Sequence, residues 1–256
     1  MHANGIAAIA NIHCFKDPLA PNTISNSAVT LQSNHNTAWT DKEAGGNRWL
    51  NPASAAAQKY VQDIAAELSG LGFDTVMLSS LQFPEGEKLD DCYFGEGVAA
   101  KDTVLKDVLS KITTALSAKG TGVMLGADPA PCKNNTDNQY GVSPAKFGAK
   151  RLSPYLVPRA EDTGGFKIDS EWYLPLSQWQ YKTAKAILDK AKTLAGDNTA
   201  LCPMILPTAD QLRAVNEAGV TQYILYDKDG NYDFDALAGS SSSGTTSSTA
   251  SGTSSR

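Results

Sequence analysis

Apolar and polar positions alternate along the chain in a way that predicts helices and buried strands in turn. The clearest helix begins near Asn51 and Pro52, which suit an N-terminal cap and a first helical turn. Its apolar face recurs at helical spacing and comprises Tyr60, Val61, Ile64, Ala65, Leu68 and Leu71. We expect Gly70 and Gly72 to end this helix, and residues 73–78 (FDTVML) to form a short buried strand. A helix followed by a buried strand and a polar loop is typical of parallel α/β folds.

The same pattern repeats in six strand-led units. The predicted strands cover residues 5–15, 73–78, 121–127, 152–157, 201–206 and 221–226, and the later helices cover residues 101–119, 178–194 and 208–218. A TIM barrel contains eight strand–helix units, and Met1 to Gly5 reads as the end of a helix. We therefore expect an α/β, TIM-barrel-like (β/α)8 fold that is incomplete, with its first two strands missing. In such folds functional residues lie on the loops after the strands, which here include Ser79 to Glu87.

Two segments depart from this alternation. Residues 19–50 form a predicted loop that is rich in Asn, Ser and Thr and carries Trp39 and Trp49. A loop of more than about 15 residues without secondary structure is usually functional or disordered, and the tryptophans favour a functional loop. Residues 239–256 consist almost entirely of Ser, Thr and Gly. We expect one folded domain over residues 1–238 and a flexible tail or linker over residues 239–256.

The composition argues against several classes of function. A net charge of −5 and a pI near 5.2 leave no basic surface for nucleic acid. No apolar run reaches the roughly 20 residues of a membrane-spanning helix, and the first residues lack the cationic segment of a signal peptide. No Gly-rich phosphate loop opens a helix, and the cysteines lack the spacing of a zinc site, so we expect no cofactor and no metal. Cys92 and Cys132 could form a disulfide in an exported protein; four thiols are the alternative.

Two stretches of the chain are similar to a known family. Residues 2–20 (HANGIAAIANIHCFKDPLA) and 49–84 (WLNPASAAAQKYVQDIAAELSGLGFDTVMLSSLQFP) resemble a family of glycoside-hydrolase-like TIM barrels found in bacterial surface proteins, whose substrate is unassigned. The resemblance extends to about Tyr232 and is strongest up to Pro84. It implies a TIM barrel, a carbohydrate ligand and an extracellular or cell-surface location.

The chain departs from this family's pattern at three positions. After the strand that ends at Leu78 the family has Asp, Tyr, an apolar residue, Arg, Phe and Pro, whereas this chain has SSLQFP. The family's Asp is thus Ser79 and its Arg is Gln82, and an Arg in the preceding strand is Asn11. The resemblance therefore puts neutral polar residues where the family has charges, although Asp128 keeps the family's Ala-Asp pair.

Asp128 is the best candidate for a catalytic acid, because it ends a predicted strand on the functional face. The alternative is that it caps the turn before Pro129. Glycoside hydrolysis ordinarily needs two carboxyl groups about 5–9.5 Å apart. Glu85 and Glu87 are candidates for the second carboxyl group, although charged residues in a loop are more often solvated surface.

The other candidate substrate contacts also lie at or near strand ends. They are Asn11, Lys16, Asp17, Trp49, Ser79, Gln82, Glu85, Tyr155, Tyr226 and Asp227. For Asp17 the alternatives are pairing with Lys16 or capping the loop, and a turn role is the stronger interpretation for Asp227. A lone strand histidine such as His13 is more often structural than catalytic.

Aromatic residues in the predicted loops suggest a carbohydrate cleft, because their faces can stack on the C–H surfaces of sugars. These residues are Trp39, Trp49, Tyr93, Trp172 and Trp179. The alternative, favoured for Trp49, is that they pack the loops onto the barrel. Two functions follow: a hydrolase that acts on cell-surface or dietary polysaccharide, or a non-catalytic surface module that binds glycan. Open sheet edges also predict marginal stability or self-association.

Overall fold

A computed structural model of the chain describes residues 2–43, 45–133, 136–158 and 164–233. The predicted tail over residues 239–256 lies outside the described residues. The strands of the structure are β1 (Ile9–His13), β2 (Thr30–Leu31), β3 (Asn34–Ala38), β4 (Thr75–Ser79), β5 (Cys92–Tyr93), β6 (Gly122–Ala127), β7 (Thr136–Asp137), β8 (Gly141–Val142), β9 (Arg151–Pro154), β10 (Phe166–Ile168), β11 (Glu171–Tyr173), β12 (Ala200–Leu201), β13 (Met204–Ile205) and β14 (Ile224–Leu225). Its α-helices are α1 (Ala55–Gly70), α2 (Lys101–Ser117), α3 (Pro129–Lys133), α4 (Gln180–Ala195) and α5 (Ala209–Glu217). Short 3₁₀ helices cover His2–Asn4, Ala20–Asn22, Leu89–Asp91 and Pro144–Lys146.

The central sheet is parallel and follows chain order. Its five strands run β1-β4-β6-β9-β12, and β9 continues through a parallel bridge from Tyr155 to Met204 of β13, which pairs in parallel with β14. Each of the six predicted strands overlaps a strand of this array. Sequential order is typical of a TIM barrel, whereas a doubly wound sheet reverses its order at a switch point. All carboxyl ends therefore meet at one edge.

The two faces of the sheet carry different residues because side chains alternate along a strand. Val76, Leu78 and Leu125 belong to the main hydrophobic core together with apolar residues of the helices. Met77 and Met124 on the opposite face belong to a second buried cluster that also includes Cys202 and is packed against Tyr155, Met204 and Ile224. The helices thus cover one face of the sheet, and the second buried cluster lies on the other face.

Helix α1 starts later than its sequence suggests. Its N-cap is Ser54, whose Oγ accepts a hydrogen bond from the Ala57 amide. Asn51 is buried instead, with its Oδ1 accepting from the Ala53 amide (2.9 Å) and its Nδ2 donating to the Phe94 carbonyl (3.1 Å). The helix was therefore predicted correctly, but the cap was assigned three residues too early.

The segment predicted as a structureless loop contains an antiparallel sheet. Strands β3 and β2 pair with each other, and β2 also pairs with β5 from the loop after β4. The prediction was wrong because β3 (NHNTA) is polar and carries no hydrophobic alternation. This sheet covers a small cluster of Val29, Trp39 and Trp49.

The last two predicted strands are shorter than expected. Residues 201–206 divide into β12 and β13 on either side of Pro203, which has no amide proton for a ladder. The Pro203 carbonyl accepts a hydrogen bond from the Ile224 amide (2.8 Å), so the array continues to β14. Among the described residues, no helix has the length and apolar character needed to cross a membrane.

Candidate active site

A cavity of about 140 Å³ lies at the carboxyl ends of β1, β4, β6 and β9. Its lining brings together five residues that the sequence predicts for the site and five that it does not. The predicted ones are Lys16, Gln82, Glu85, Asp128 and Tyr155, and the others are His13, Ser80, Gly126, Ala127 and Tyr140. Asp128 directly follows the last residue of β6. Two acidic residues, Asp128 and Glu85, therefore line one cavity.

Glu85 is held by a lysine from the neighbouring strand end. Lys16 Nζ donates to Glu85 Oε1 at 2.6 Å, in an ion pair that remains partly exposed. The same ammonium lies 5.5 Å from the centroid of the Trp49 ring. Trp49 is fully buried, and its indole N–H donates to Asp41 Oδ2 at 3.3 Å. The Trp49 ring thus contacts the Lys16 ammonium, and its full burial leaves no surface on which a sugar could stack.

Gln82 joins the cavity wall to a distant segment. The Tyr140 hydroxyl donates to Gln82 Oε1 at 2.9 Å, which directs Gln82 Nε2 toward Glu85 Oε2 at 3.5 Å. The Phe83 amide also donates to the Gln139 carbonyl at 3.0 Å. The loop after β4 is therefore fixed to the segment around Tyr140, which carries no sequence signal for this contact.

A neutral hydrogen-bonded network lies beside the cavity. Ser79, the last residue of β4, is fully buried and donates its hydroxyl proton to Asn11 Oδ1. Because that proton is used, the Tyr155 hydroxyl donates to Ser79 Oγ. Gly126 makes room for this arrangement, since a Cβ there would lie 2.9 Å from Tyr155 Cζ. Asn11 and Ser79 thus contact each other beside the cavity, but neither belongs to its lining.

Ser80 and His13 are site residues that the sequence did not single out as functional. Ser80 has a φ of +50°, a left-handed conformation that is uncommon for a residue other than glycine. Its hydroxyl lies 3.0 Å from His13 Nδ1. Backbone strain of this kind clusters at functional sites. The signal available in the sequence was position alone, because both residues stand at strand ends.

Asp17 lies close in sequence to the cavity but has another task. Its Oδ1 accepts hydrogen bonds from the Leu19 amide (2.8 Å) and the Ala20 amide (3.0 Å), and its Oδ2 accepts from the Tyr60 hydroxyl (3.1 Å). Asp17 therefore closes the turn that begins the following loop, in line with loop capping, the alternative to a substrate contact.

Tyr226, Asp227 and Glu87 also lie outside the cavity lining. Asp227 Oδ1 accepts from the amides of Asp229 (2.8 Å) and Asn231 (3.3 Å), an arrangement that stabilises a turn. Glu87 Oε2 accepts from the Glu43 amide at 3.1 Å. Of the two acidic residues considered as partners for Asp128, only Glu85 lines the cavity.

The five loop aromatics divide into two groups. Trp39 and Trp49 are buried in the small cluster, and the Tyr93 ring stacks on His35 with centroids 3.6 Å apart. Trp172 and Trp179 are exposed. Packing of loops thus accounts for the first two tryptophans.

Among the described residues, no three His, Cys, Asp or Glu side chains are grouped closely enough to hold a metal ion. Cys92 and Cys132 are thiols in the structure.

Comparison with known proteins places this geometry in context. Residues 1–143, more than half of the chain, match a family described as "Putative glycosyl hydrolase domain". No curated protein sequence matches the chain. Among solved structures, the glycoside hydrolase domain of PgaB (BpsB) from Bordetella bronchiseptica aligns with a TM-score of 0.60 and 14% identity, over 88% of this chain and 71% of that one.

Two further structures align over nearly the whole chain. The α-galactosidase TtGalA from Thermus thermophilus gives a TM-score of 0.55 at 10% identity, over 93% of this chain and 47% of that one. The spore cortex-lytic enzyme SleL from Bacillus megaterium gives 0.53 at 9% identity, over 90% and 58%. The chain thus spans less than two thirds of these two structures. At such identities the likeness concerns the fold alone, and it agrees with the predicted TIM-barrel-like class.

Proposed function

Because the chain belongs to the family described as "Putative glycosyl hydrolase domain", we propose that it hydrolyses a glycosidic bond in a polysaccharide. Asp128 acts as the general acid and Glu85 as the second carboxylate. The observation that carries this proposal is that both residues line one cavity at the carboxyl ends of the parallel strands. Two carboxyl groups that flank the scissile bond are what most glycoside hydrolases require.

The surroundings of Glu85 support its role as the second carboxylate. Lys16 donates a charged hydrogen bond to Glu85, so that Glu85 is the carboxylate suited to act as nucleophile or base. Asp128 then gives its proton to the glycosidic oxygen as the C–O bond breaks. Glu85 either attacks the anomeric carbon or removes a proton from the water that does so.

The remaining lining residues suit a ligand rich in hydroxyl groups. Gln82, Tyr140 and Tyr155 offer amide and phenolic groups, and His13 offers a ring nitrogen. The substrate class we propose is a cell-surface or dietary polysaccharide, and the location is extracellular or at the cell surface. Both rest on the family resemblance. Residues 1–238 would then form the domain, with residues 239–256 as a linker.

The experiment is a reducing-end assay on a panel of soluble polysaccharides, comprising xylan, mixed-linkage β-glucan, chitosan and pectin. We expect Asp128→Asn and Glu85→Gln each to lower the rate on the cleaved polysaccharide by at least about a hundredfold, a typical size for acid–base catalysis. Glu87→Gln is the matched control, because Glu87 is an acid of the same loop that bonds to the Glu43 amide. Full activity in either cavity variant would refute the assignment.

A second candidate function is glycan binding without cleavage. The neutral Asn11–Ser79–Tyr155 network favours it, because the family's charged positions are occupied there by groups that already bond to one another. Under this function the protein would retain a polysaccharide in affinity electrophoresis and release no reducing ends. Asp128→Asn and Glu85→Gln would then change binding slightly or not at all.

A further inference from the structure

Two of the four tryptophans are exposed, and both lie in the segment that follows β9. Trp172 is 57% exposed and Trp179 is 39% exposed, whereas the other two are buried. An indole ring that remains in water forgoes a large gain from burial of apolar area, and such rings are common where a ligand binds. The local packing of each exposed ring therefore indicates which one is available.

The Trp172 indole packs closely against Gly165. A Cβ at Gly165 would lie 2.6 Å from Trp172 Nε1 and 2.7 Å from Cε2 and Cζ2. The Nε1–Cε2–Cζ2 side of the indole is thus in close contact with Gly165, while more than half of the residue remains exposed. A ring fixed in this way forms a rigid platform, and a ligand that stacks on it loses little side-chain entropy.

The hairpin that carries Trp172 is anchored to the domain. Phe166 and Tyr173 pair across β10 and β11, and their rings stack with centroids 6.3 Å apart. Ile168 is buried in the main core, and Asp169 near the hairpin turn forms an ion pair of 2.5 Å with Lys190 of α4. These contacts hold the hairpin in place, so that Trp172 stays exposed.

Trp179 differs because a cation already occupies its ring. Lys182 Nζ lies 4.5 Å from the centroid of Trp179. Such a cation–π contact stabilises the ring and blocks the approach of a sugar from that side. Trp179 is therefore a control indole that is less exposed than Trp172 and already carries a cation over its ring.

The surroundings of Trp172 indicate what stacks on it. Lys167, its cross-strand partner, and Glu171 beside it are both exposed, so the ring is a single apolar surface among charged groups. A stable protein interface would require about 800 Å² of continuous contact on each side. A pyranose ring presents one apolar C–H face with hydroxyl groups around its edge, which matches this small, polar-rimmed platform.

We propose that Trp172 is a carbohydrate-stacking platform that binds a pyranose unit of the polysaccharide. The inference rests on the proposed function for the chemical class of the ligand. It adds a binding contact on the hairpin β10–β11, whereas the cavity is built from the ends of β1, β4, β6 and β9. The role of Trp172 would be to hold the polysaccharide and not to act in cleavage of the glycosidic bond.

The test measures affinity in the full chain carrying Asp128→Asn, so that no cleavage disturbs binding. Affinity electrophoresis on xylan, mixed-linkage β-glucan, chitosan and pectin gives the dissociation constants. We expect Trp172→Ala to weaken the tightest interaction at least about tenfold and Trp179→Ala to change it less than twofold. Gly165→Ala keeps the indole but displaces it, and should weaken binding to a similar extent as Trp172→Ala.

The outcomes separate this inference from the proposed hydrolysis. Equal affinity of Trp172→Ala and Trp179→Ala, or no binding to any of the four polysaccharides, would overturn the platform. Cleavage by the wild-type chain with unchanged binding in Trp172→Ala would overturn the platform and leave hydrolysis intact. Binding that depends on Trp172 in a protein that cleaves none of the four would support the platform and count against hydrolysis.

Discussion

Gly126 makes room for the tyrosine of the neutral network, and its replacement by alanine tests that network directly. A Cβ at residue 126 would lie 2.9 Å from Tyr155 Cζ, closer still to the Tyr155 hydroxyl, and 3.1 Å from Ser79 Oγ. Ordinary contacts between carbon atoms are about 3.5–4.0 Å. Gly126 lies in a strand paired with β9, so its backbone has little freedom to move. The Tyr155 ring must therefore retreat.

The cost of Gly126→Ala has two parts. Overpacking of a close-packed interior costs about 1–3 kcal/mol, and loss of the hydrogen bond between Tyr155 and Ser79 costs about 1 kcal/mol. We expect the free energy of unfolding to fall by about 2–4 kcal/mol. For a urea slope of about 2 kcal/mol per molar, the midpoint falls by roughly 1–2 M.

Urea unfolding followed by tryptophan fluorescence measures this change. Gly70→Ala is the matched control, because Gly70 ends α1 and an added Cβ there meets nothing within 4 Å. Its stability should stay the same or rise by up to about 1 kcal/mol. In a Tyr155→Ala background the ring is gone, and the cost of Gly126→Ala should fall by more than about 1 kcal/mol. An unchanged midpoint for Gly126→Ala, or the same cost in both backgrounds, would refute the reasoning.

Two further expectations concern a thiol and a sheet edge. Burial raises the pKa of Cys92 to about 12, so little thiolate exists at pH 8. Iodoacetamide should therefore modify Cys92 far more slowly in the native chain than in urea, and the native rate should rise about tenfold per pH unit from pH 8 to 10. Equal rates in the native and the urea-unfolded chain, measured by mass spectrometry, would contradict this. Among the described residues, strand β1 pairs on one side only, and its Ile9 is 45% exposed. We therefore expect the chain to associate with rising concentration in analytical ultracentrifugation, and Ile9→Lys to abolish this association. A wild-type chain that stays monomeric would contradict this expectation.

The alternation of strands and helices could be predicted because it follows from the periodicity of apolar residues. Val61 and Ala65 mark one helix face, and Val76 and Leu78 mark one strand face, so the sequence indicates which surface each element buries. The helix cap was missed for a physical reason. Asn51 has the right side chain for a cap, but its amide is satisfied by the Phe94 carbonyl, which is distant in sequence.

The site could be predicted where it depends on strand ends and not where it depends on loops. Lys16, Gln82 and Asp128 follow three parallel strands, so their meeting at one cavity is a consequence of topology. Tyr140 reaches the same cavity from an irregular segment, and no periodicity marks it. The antiparallel sheet β3-β2-β5 escaped detection in the same way, because its stability comes from packing over Trp39 and not from a pattern within its strands.

The neutral residues at the site edge are consistent with one another. The resemblance implies Asp at the end of β4 and Arg in the preceding strand, where this chain has Ser79 and Asn11. A carboxylate at the fully buried position of Ser79 would need a counter-charge, which Asn11 cannot supply. Ser79 and Asn11 are instead two neutral groups that bond to each other, and Ser79 also bonds to Tyr155. The carboxylate and cation that the cavity still holds together, Glu85 and Lys16, belong to the loops just beyond the same two strands. The charged pair at this edge therefore lies a few residues beyond Asn11 and Ser79, where water can solvate it.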